Sequence, residues 1–322
     1  MKLVIGLIAL SVGCFAREFS VSGLSSGAYL TVQMQVAYSQ SVIGSGVIGG
    51  GPYYCAQNSL TQAAACTQTP ALVSLDPLVS ITKKYEKEGL IDDLSNLQNA
   101  KIWLFSGTLD VVNYQGIMKK LQTYLENYVD SSNLVSVFNI PAGHAFINSG
   151  WGSVCSYSGY PWINNCLIDS SGKILEHIYG KLNPKVPYKS SNIYSFKQKP
   201  YFSDSDWSGS SMADTGYIYI PEVCKNKECK VHLVLHGCDQ DYTETLGAVV
   251  YHTGYIEWAE ANDMIVLFPQ AAVSLVSNPQ TCWDWWGYTN SQYATKKGVQ
   301  MQALFDMTQN LPTQLESVAS LI

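Results

Sequence analysis

The sequence predicts an α/β fold, a mostly parallel sheet with helices on both faces. Three observations predict it. Short apolar runs alternate with amphipathic helical segments along the chain. With 322 residues, 47% of them hydrophobic and 14% charged, the chain can bury a large core. No internal repeat or low-complexity tract suggests a solenoid or a disordered arm.

Taken in order, residues 18–22 alternate polar and apolar and read as a short strand. Residues 26–39 follow as a helix, with Tyr29, Val32, Val36 and Ala37 at helical spacing. Residues 42–49 read as a strand entering a Gly-rich turn, 80–97 as an amphipathic helix and 101–105 as a buried strand. Residues 114–129 read as a helix, 135–140 as a strand and 174–181 as a helix. Residues 183–192 carry two prolines without periodicity and read as a linker. Beyond it, 217–220 and 231–235 read as strands, 243–262 as helix, 264–268 as strand and 298–310 as helix.

The ends and the cysteines point to export. Lys2, an apolar run over residues 3–15 and the small Ala16 have the form of a cleaved signal peptide over residues 1–16, leaving a domain of residues 17–322. The run is too short for a membrane span; lipidation at Cys14 is the alternative processing route. Eight further cysteines remain: Cys55, Cys66, Cys155, Cys166, Cys224, Cys229, Cys238 and Cys282. They allow 105 pairings; nearest-neighbour pairing plus 238 with 282 is the expectation, in an oxidising, extracellular setting. No N-glycosylation sequon occurs. The net charge of −6 and the lack of a basic cluster argue against nucleic acid and anionic membranes as partners.

The chemistry starts at Gly23-Leu-Ser-Ser-Gly27. A Gly-x-Ser-x-Gly turn between a strand and a helix exposes its central serine at the helix N-terminus. The pattern alone is weak: with Gly and Ser each near 7% of residues, about one chain in ten of this length carries it by chance. A preceding strand and a following helix make Ser25 the candidate nucleophile; a serine cap on a helix is the plainer reading. A general base must sit in a loop after a later strand, and among five histidines His144, in Pro141-Ala-Gly-His144, fits. His177 and His252 sit within helices and His232 within a strand. The orienting acid should end an intervening buried strand, which selects Asp110 after Ser106-Gly-Thr-Leu. The order Ser25, Asp110, His144 is that of α/β-hydrolases.

The oxyanion loop should precede the nucleophile, yet only the leader does so. Leu235-His-Gly-Cys238, after the linker, is the candidate, so the sheet is expected to be circularly permuted. One domain follows: a nucleophile, acid and base half over 17–182, a linker near 183–192, and an oxyanion half over 193–322. The backbone N–H groups of Ser26 and Cys238 would form the oxyanion hole.

These segments resemble the secreted poly(3-hydroxybutyrate) depolymerases of the fungal, circularly permuted type. The resemblance covers nearly the whole mature length. It rests on Gly23-Leu-Ser-Ser-Gly-Ala28, Ser106-Gly-Thr-Leu-Asp110, Gly143-His144, His177-Ile-Tyr-Gly-Lys-Leu-Asn-Pro184, Asp214-Thr-Gly-Tyr-Ile-Tyr-Ile-Pro221, Leu235-His-Gly-Cys238 and Cys282-Trp-Asp-Trp-Trp-Gly-Tyr288. It implies the Ser25, Asp110 and His144 triad, and Cys238 as an oxyanion donor held in a disulfide. It also implies hydrolysis of a polyester or short-chain hydroxyalkanoate ester through an acyl-enzyme. Two positions depart from the family pattern: Ala145-Phe-Ile-Asn148 where Thr-Phe-Pro is commoner, and Ile256 where many members carry Asn.

Trp283, Trp285, Trp286 and Tyr29 are candidate substrate contacts, although packing in the core is the expectation for at least one tryptophan. Adsorption to polymer is expected to use the catalytic domain's own surface. No metal or other cofactor is expected: His232 and His236, four apart, are the nearest approach to ligand spacing, and the cysteines suit disulfides better than zinc. A monomer is expected. The competing readings are a feruloyl or acetyl carbohydrate esterase and a secreted binding protein that keeps the fold without turnover.

Overall fold

The computed structural model describes residues 16–318, so the expected leader over residues 1–16, with Cys14, lies essentially outside the described residues. Twelve strands run β1 (Phe19–Leu24), β2 (Val42–Ile48), β3 (Lys101–Phe105), β4 (Leu134–Val137), β5 (Phe146–Asn148), β6 (Ser153–Val154), β7 (Ile163–Asn165), β8 (Ile193–Lys197), β9 (Thr215–Tyr219), β10 (Lys230–Leu235), β11 (Met264–Phe268) and β12 (Glu316–Ser317). Ten helices accompany them: α1 (Ser26–Ala37), α2 (Leu60–Gln68), α3 (Leu75–Lys87), α4 (Gln115–Leu125), α5 (Ser170–Tyr179), α6 (Asp204–Trp207), α7 (Tyr242–Thr245), α8 (Ala248–His252), α9 (Tyr255–Ala261) and α10 (Val299–Gln309).

Nine strands form one sheet in the order β12-β8-β9-β11-β10-β1-β2-β3-β4, and a small sheet, β5-β7-β6, stands apart. From β11 to β4 the pairing is parallel; β9, β8 and β12 add an antiparallel edge. Parallel strands covered on both faces need near-continuous apolar runs, and Met264–Phe268 (MIVLF) and Lys101–Phe105 (KIWLF) supply them. One core cluster gathers side chains of α1, α4 and α10, the other those of α5, α8 and α9. Helix α1 is buried along its whole length, as a helix clamped between sheet and outer helices must be.

The permutation is visible at the centre. β1, from the start of the chain, lies beside β10, from its second half, in register from Ser20 opposite His232 to Gly23 opposite Leu235. Chain order reverses at this seam, and ligands in open α/β sheets bind at the carboxyl ends of strands flanking such a switch.

Several element boundaries differ from those read in the sequence. The helix expected over 80–97 is α3 followed by a 3-10 turn at Leu94–Asn99. Pro77 sits in its first turn, where the missing N–H costs nothing. Gly89, at φ +69°, ends it. The helix expected over 243–262 is three short helices, broken where Leu246 (φ 52°), Gly247 (φ 77°) and Gly254 (φ 93°) turn left-handed. The segment 183–192 does not separate domains. It lies along α9, with Asn183 N–H donating to Asn262 Oδ1 (2.8 Å) and Lys189 Nζ paired with Glu260 (2.8 Å). The antiparallel edge strands β8 and β12 escaped the sequence reading.

Candidate active site

Ser25 occupies the hinge between β1 and α1 at φ 57°, ψ −121°. A non-glycine residue held there stores about 1–3 kcal/mol of strain, which only an over-determined setting sustains. That setting is backbone: Ser25 N–H donates to Ile48 C=O (3.0 Å), and Ser25 C=O accepts from Tyr29 N–H (3.0 Å). The flanking glycines are required by contact. A Cβ on Gly23 would stand 2.4 Å from Gly27 O, and one on Gly27 would stand 2.4 Å from both His236 O and Leu235 O.

Asp110 follows β3 through a turn knitted to the histidine loop. Thr108 N–H donates to Ile140 C=O (2.8 Å) and Leu109 N–H to Ala142 C=O (3.1 Å). Asp110 Oδ1 accepts from the N–H groups of Val112 (3.0 Å) and Asn113 (2.8 Å), which fixes its other oxygen toward the histidine. His144 Nδ1 lies 2.7 Å from Asp110 Oδ2, with both side chains almost fully buried. The carboxylate accepts, so Nδ1 carries the proton and Nε2 is left with a free lone pair. Nε2 is buried without a hydrogen-bond partner among the described residues. An unmet buried acceptor is costly in a structural histidine and is what a general base needs. Gly49, at φ +60°, lets the backbone pass close: its Cβ would stand 3.0 Å from the imidazole Cε1.

Ser25 and His144 open on one cleft of about 420 Å³, shared with Ser26, Gly237 and Cys238. Ser26 is the first residue of α1, and an N–H in a first helical turn has no intrahelical acceptor. Across the seam, Gly237 N–H donates to Gln240 Oε1 (2.7 Å), whose amide donates to Trp162 C=O (3.0 Å). Cys238 is disulfide-bonded to Cys282. The other cysteines pair Cys55 with Cys66, Cys155 with Cys166 and Cys224 with Cys229.

The tryptophans divide. Trp285 and Trp286 line the cleft; Trp285 stacks on the Tyr29 ring (centroids 4.1 Å) and Trp286 meets Trp285 edge-on. Trp283 does not belong with them, which corrects its assignment as a substrate contact. It is fully buried, its indole N–H donates to His236 C=O (3.0 Å) and its backbone N–H to Ser26 Oγ (3.2 Å). Trp283 bolts the Leu235–Cys238 loop to α1 instead. Asp284 shapes the segment that presents the other two, its buried carboxylate accepting from the N–H groups of Gly287, Tyr288 and Thr289 (2.7–3.0 Å).

The sequence reading missed the opposite wall, formed by Leu60, Ala63, Ala64 and Thr67 of α2 with Val112. Its signal was the Cys55–Cys66 loop, which fastens α2 there. Two polar side chains at the mouth, Asp239 and Gln280, were also missed; Gln280 Nε2 donates to Asp239 Oδ2 (3.1 Å).

Two of the remaining histidines, His232 and His236, are buried with both ring nitrogens partnered. His232 is buried between Ser20 Oγ (Nδ1, 2.6 Å) and Ser22 Oγ (Nε2, 2.8 Å), and burial pushes its pKa from 6.5 down to about 3. His236 Nε2 accepts from Ala271 N–H (3.1 Å) and its Nδ1 faces Gly237 O, so it is neutral too; burial lowers its pKa. The two share no ligand geometry, and among the described residues no three His, Cys, Asp or Glu side chains gather as a metal site. No described helix is long and apolar enough to cross a membrane.

The chain is 40% identical over 294 residues to a poly(3-hydroxybutyrate) depolymerase of Delftia acidovorans, covering 89% of this chain and 58% of that protein. It thus spans little more than half of that relative's length. It is 34% identical over 305 residues to a polyhydroxybutyrate depolymerase of Talaromyces funiculosus, covering 89% of this chain and 87% of the relative. The crystal structure of a PHB depolymerase from Penicillium funiculosum superposes with a TM-score of 0.82 at 34% identity, covering 91% of this chain and 95% of that one. A PHB depolymerase carrying a serine-to-alanine substitution, solved in complex with an R3HB trimer, matches with the same TM-score and identity. No family model matches the chain.

Proposed function

Since the chain belongs to the polyhydroxybutyrate depolymerase family, we propose that it is a secreted serine esterase that hydrolyses poly(3-hydroxybutyrate) or a related polyhydroxyalkanoate. The observation that carries this reading is His144, paired with the buried Asp110, opening with the strained Ser25 onto one apolar cleft. His144 Nε2 takes the Ser25 Oγ proton as the oxygen attacks the ester carbonyl. The Ser26 and Cys238 N–H groups hold the oxyanion. Collapse breaks the ester C–O bond, and the leaving alkoxide takes the proton from His144. Water, deprotonated by His144, then splits the 3-hydroxyacyl-Ser25 ester and regenerates the serine.

Trp285, Trp286 and Tyr29 form one side of the cleft and α2 the other, an apolar lining suited to a methyl-bearing chain. Four disulfides support an extracellular setting.

The test is release of 3-hydroxybutyrate from a polymer film alongside labelling by a fluorophosphonate probe. Both should vanish in Ser25→Ala. Labelling that survives the substitution would overturn the nucleophile. Cleavage of feruloyl esters with an untouched film would favour the carbohydrate esterase, and neither activity nor labelling the binding protein.

A further inference from the structure

Tyr29 lines the cleft beside Trp285, on which its ring stacks, yet its side chain is almost wholly buried. Its hydroxyl lies in the protein interior and donates to Asn113 Oδ1 (2.9 Å) and to the Cys66 carbonyl. Asn113 has no slack: its Nδ2 donates to Gly50 C=O (2.8 Å), which fixes its Oδ1 toward Tyr29. Its backbone N–H is one of the two donors that hold Asp110 Oδ1. One phenolic proton therefore serves two acceptors: the carbonyl that ends the Cys55–Cys66 disulfide loop and the side chain that closes the Asp110 turn. Gly51 leaves no room for Tyr29 to retreat, since a Cβ there would stand 2.5 Å from the Tyr29 ring.

We propose that the Tyr29 hydroxyl and Asn113 are positioning residues for the catalytic acid, a function separate from the Tyr29 ring's contact with the aromatic wall. This rests on the triad reading above. The ring stacks on Trp285 and so belongs to substrate binding. The hydroxyl acts through Asn113 on the carboxylate that orients His144, and so belongs to turnover. Removing the hydroxyl leaves two buried acceptors short of a donor and frees the Asp110 turn to drift, while the stack stays.

Tyr29→Phe separates the two functions because it keeps the ring. On a soluble hydroxybutyrate trimer, kcat should fall about tenfold with KM nearly unchanged. Asn113→Ala should reproduce the loss of kcat, whereas Trp285→Leu should raise KM and leave kcat nearly unchanged. A thermal melt of each variant identifies any loss that is merely unfolding. If Tyr29→Phe keeps the wild-type kcat while Ser25→Ala is inert, the positioning role is refuted and the triad stands. If Ser25→Ala retains turnover, the triad reading itself has failed.

Discussion

Acidification should expose the seam between the two halves of the chain. His232 on β10 bridges Ser20 and Ser22 on β1, partners 212 and 210 residues away in sequence. Its ring stacks on Tyr255, whose hydroxyl accepts from Ser22 Oγ (2.6 Å). Ser20 in turn meets the Tyr179 hydroxyl (2.7 Å). Burial holds the folded pKa at about 3 against an ordinary 6.5. Below pH 6.5 the unfolded chain therefore binds a proton that the folded chain refuses. Stability is full above 6.5 and is lost as pH falls toward 3. Each pH unit in that window is worth about 1.4 kcal/mol, so at pH 4.5 this residue alone should remove about 3 kcal/mol. The assay is guanidinium unfolding at several pH values between 4.5 and 7.5, comparing the protein with His232→Gln, whose amide can still bridge the two serines. The variant's stability should be flatter with pH by that amount. His236 and His252 have lowered pKa values as well, but they are common to both proteins and cancel in the difference. Parallel pH dependences would refute the assignment of a neutral, proton-refusing His232.

Three other outcomes follow from the geometry. Gly27→Ala forces a methyl onto two carbonyls and should cost more than about 3 kcal/mol, read as a lost or sharply lowered melting transition. Asp110→Asn should lower kcat by about 10³–10⁴-fold with the fold intact by circular dichroism, because the imidazole loses its oriented tautomer. Replacing Cys238 and Cys282 together by serine should lower kcat about tenfold or more on a soluble ester by loosening the oxyanion loop. The same change at Cys224 and Cys229, remote from the cleft, should leave kcat unchanged.

How much of this was legible in the sequence depended on the range of the forces involved. The buried parallel strands were readable because their apolar runs report burial on two faces, and the Ser25 turn because glycines flank a serine between strand and helix. Asp110 and His144 could be selected because each lies in a short loop that follows a strand. The broken helix over 242–261 was not readable: its apolar spacing continues through Leu246 and Gly254, and left-handed turns there are settled by packing. Nor was the division of the tryptophans, since Trp283 and Trp285 differ in exposure only because Trp283 finds His236 and Ser26 beneath it. The role of Asn113 was hidden for a similar reason. Its partners Tyr29 and Gly50 come together through the sheet.

The seam also sets a schedule. During synthesis the serine turn emerges first, yet the strand that flanks it, β10, and the loop carrying Cys238 come from the second half of the chain. Until the second half has been made, Ser25 faces only part of its cleft and lacks the Cys238 N–H proposed as its second oxyanion donor. Chains fold domain by domain as they are made, and strand pairs distant in sequence form late. A ribosome-bound chain thus holds only part of the proposed esterase site: the cleft is complete once the second half has been made, and the closing disulfide then tightens its Cys238 loop.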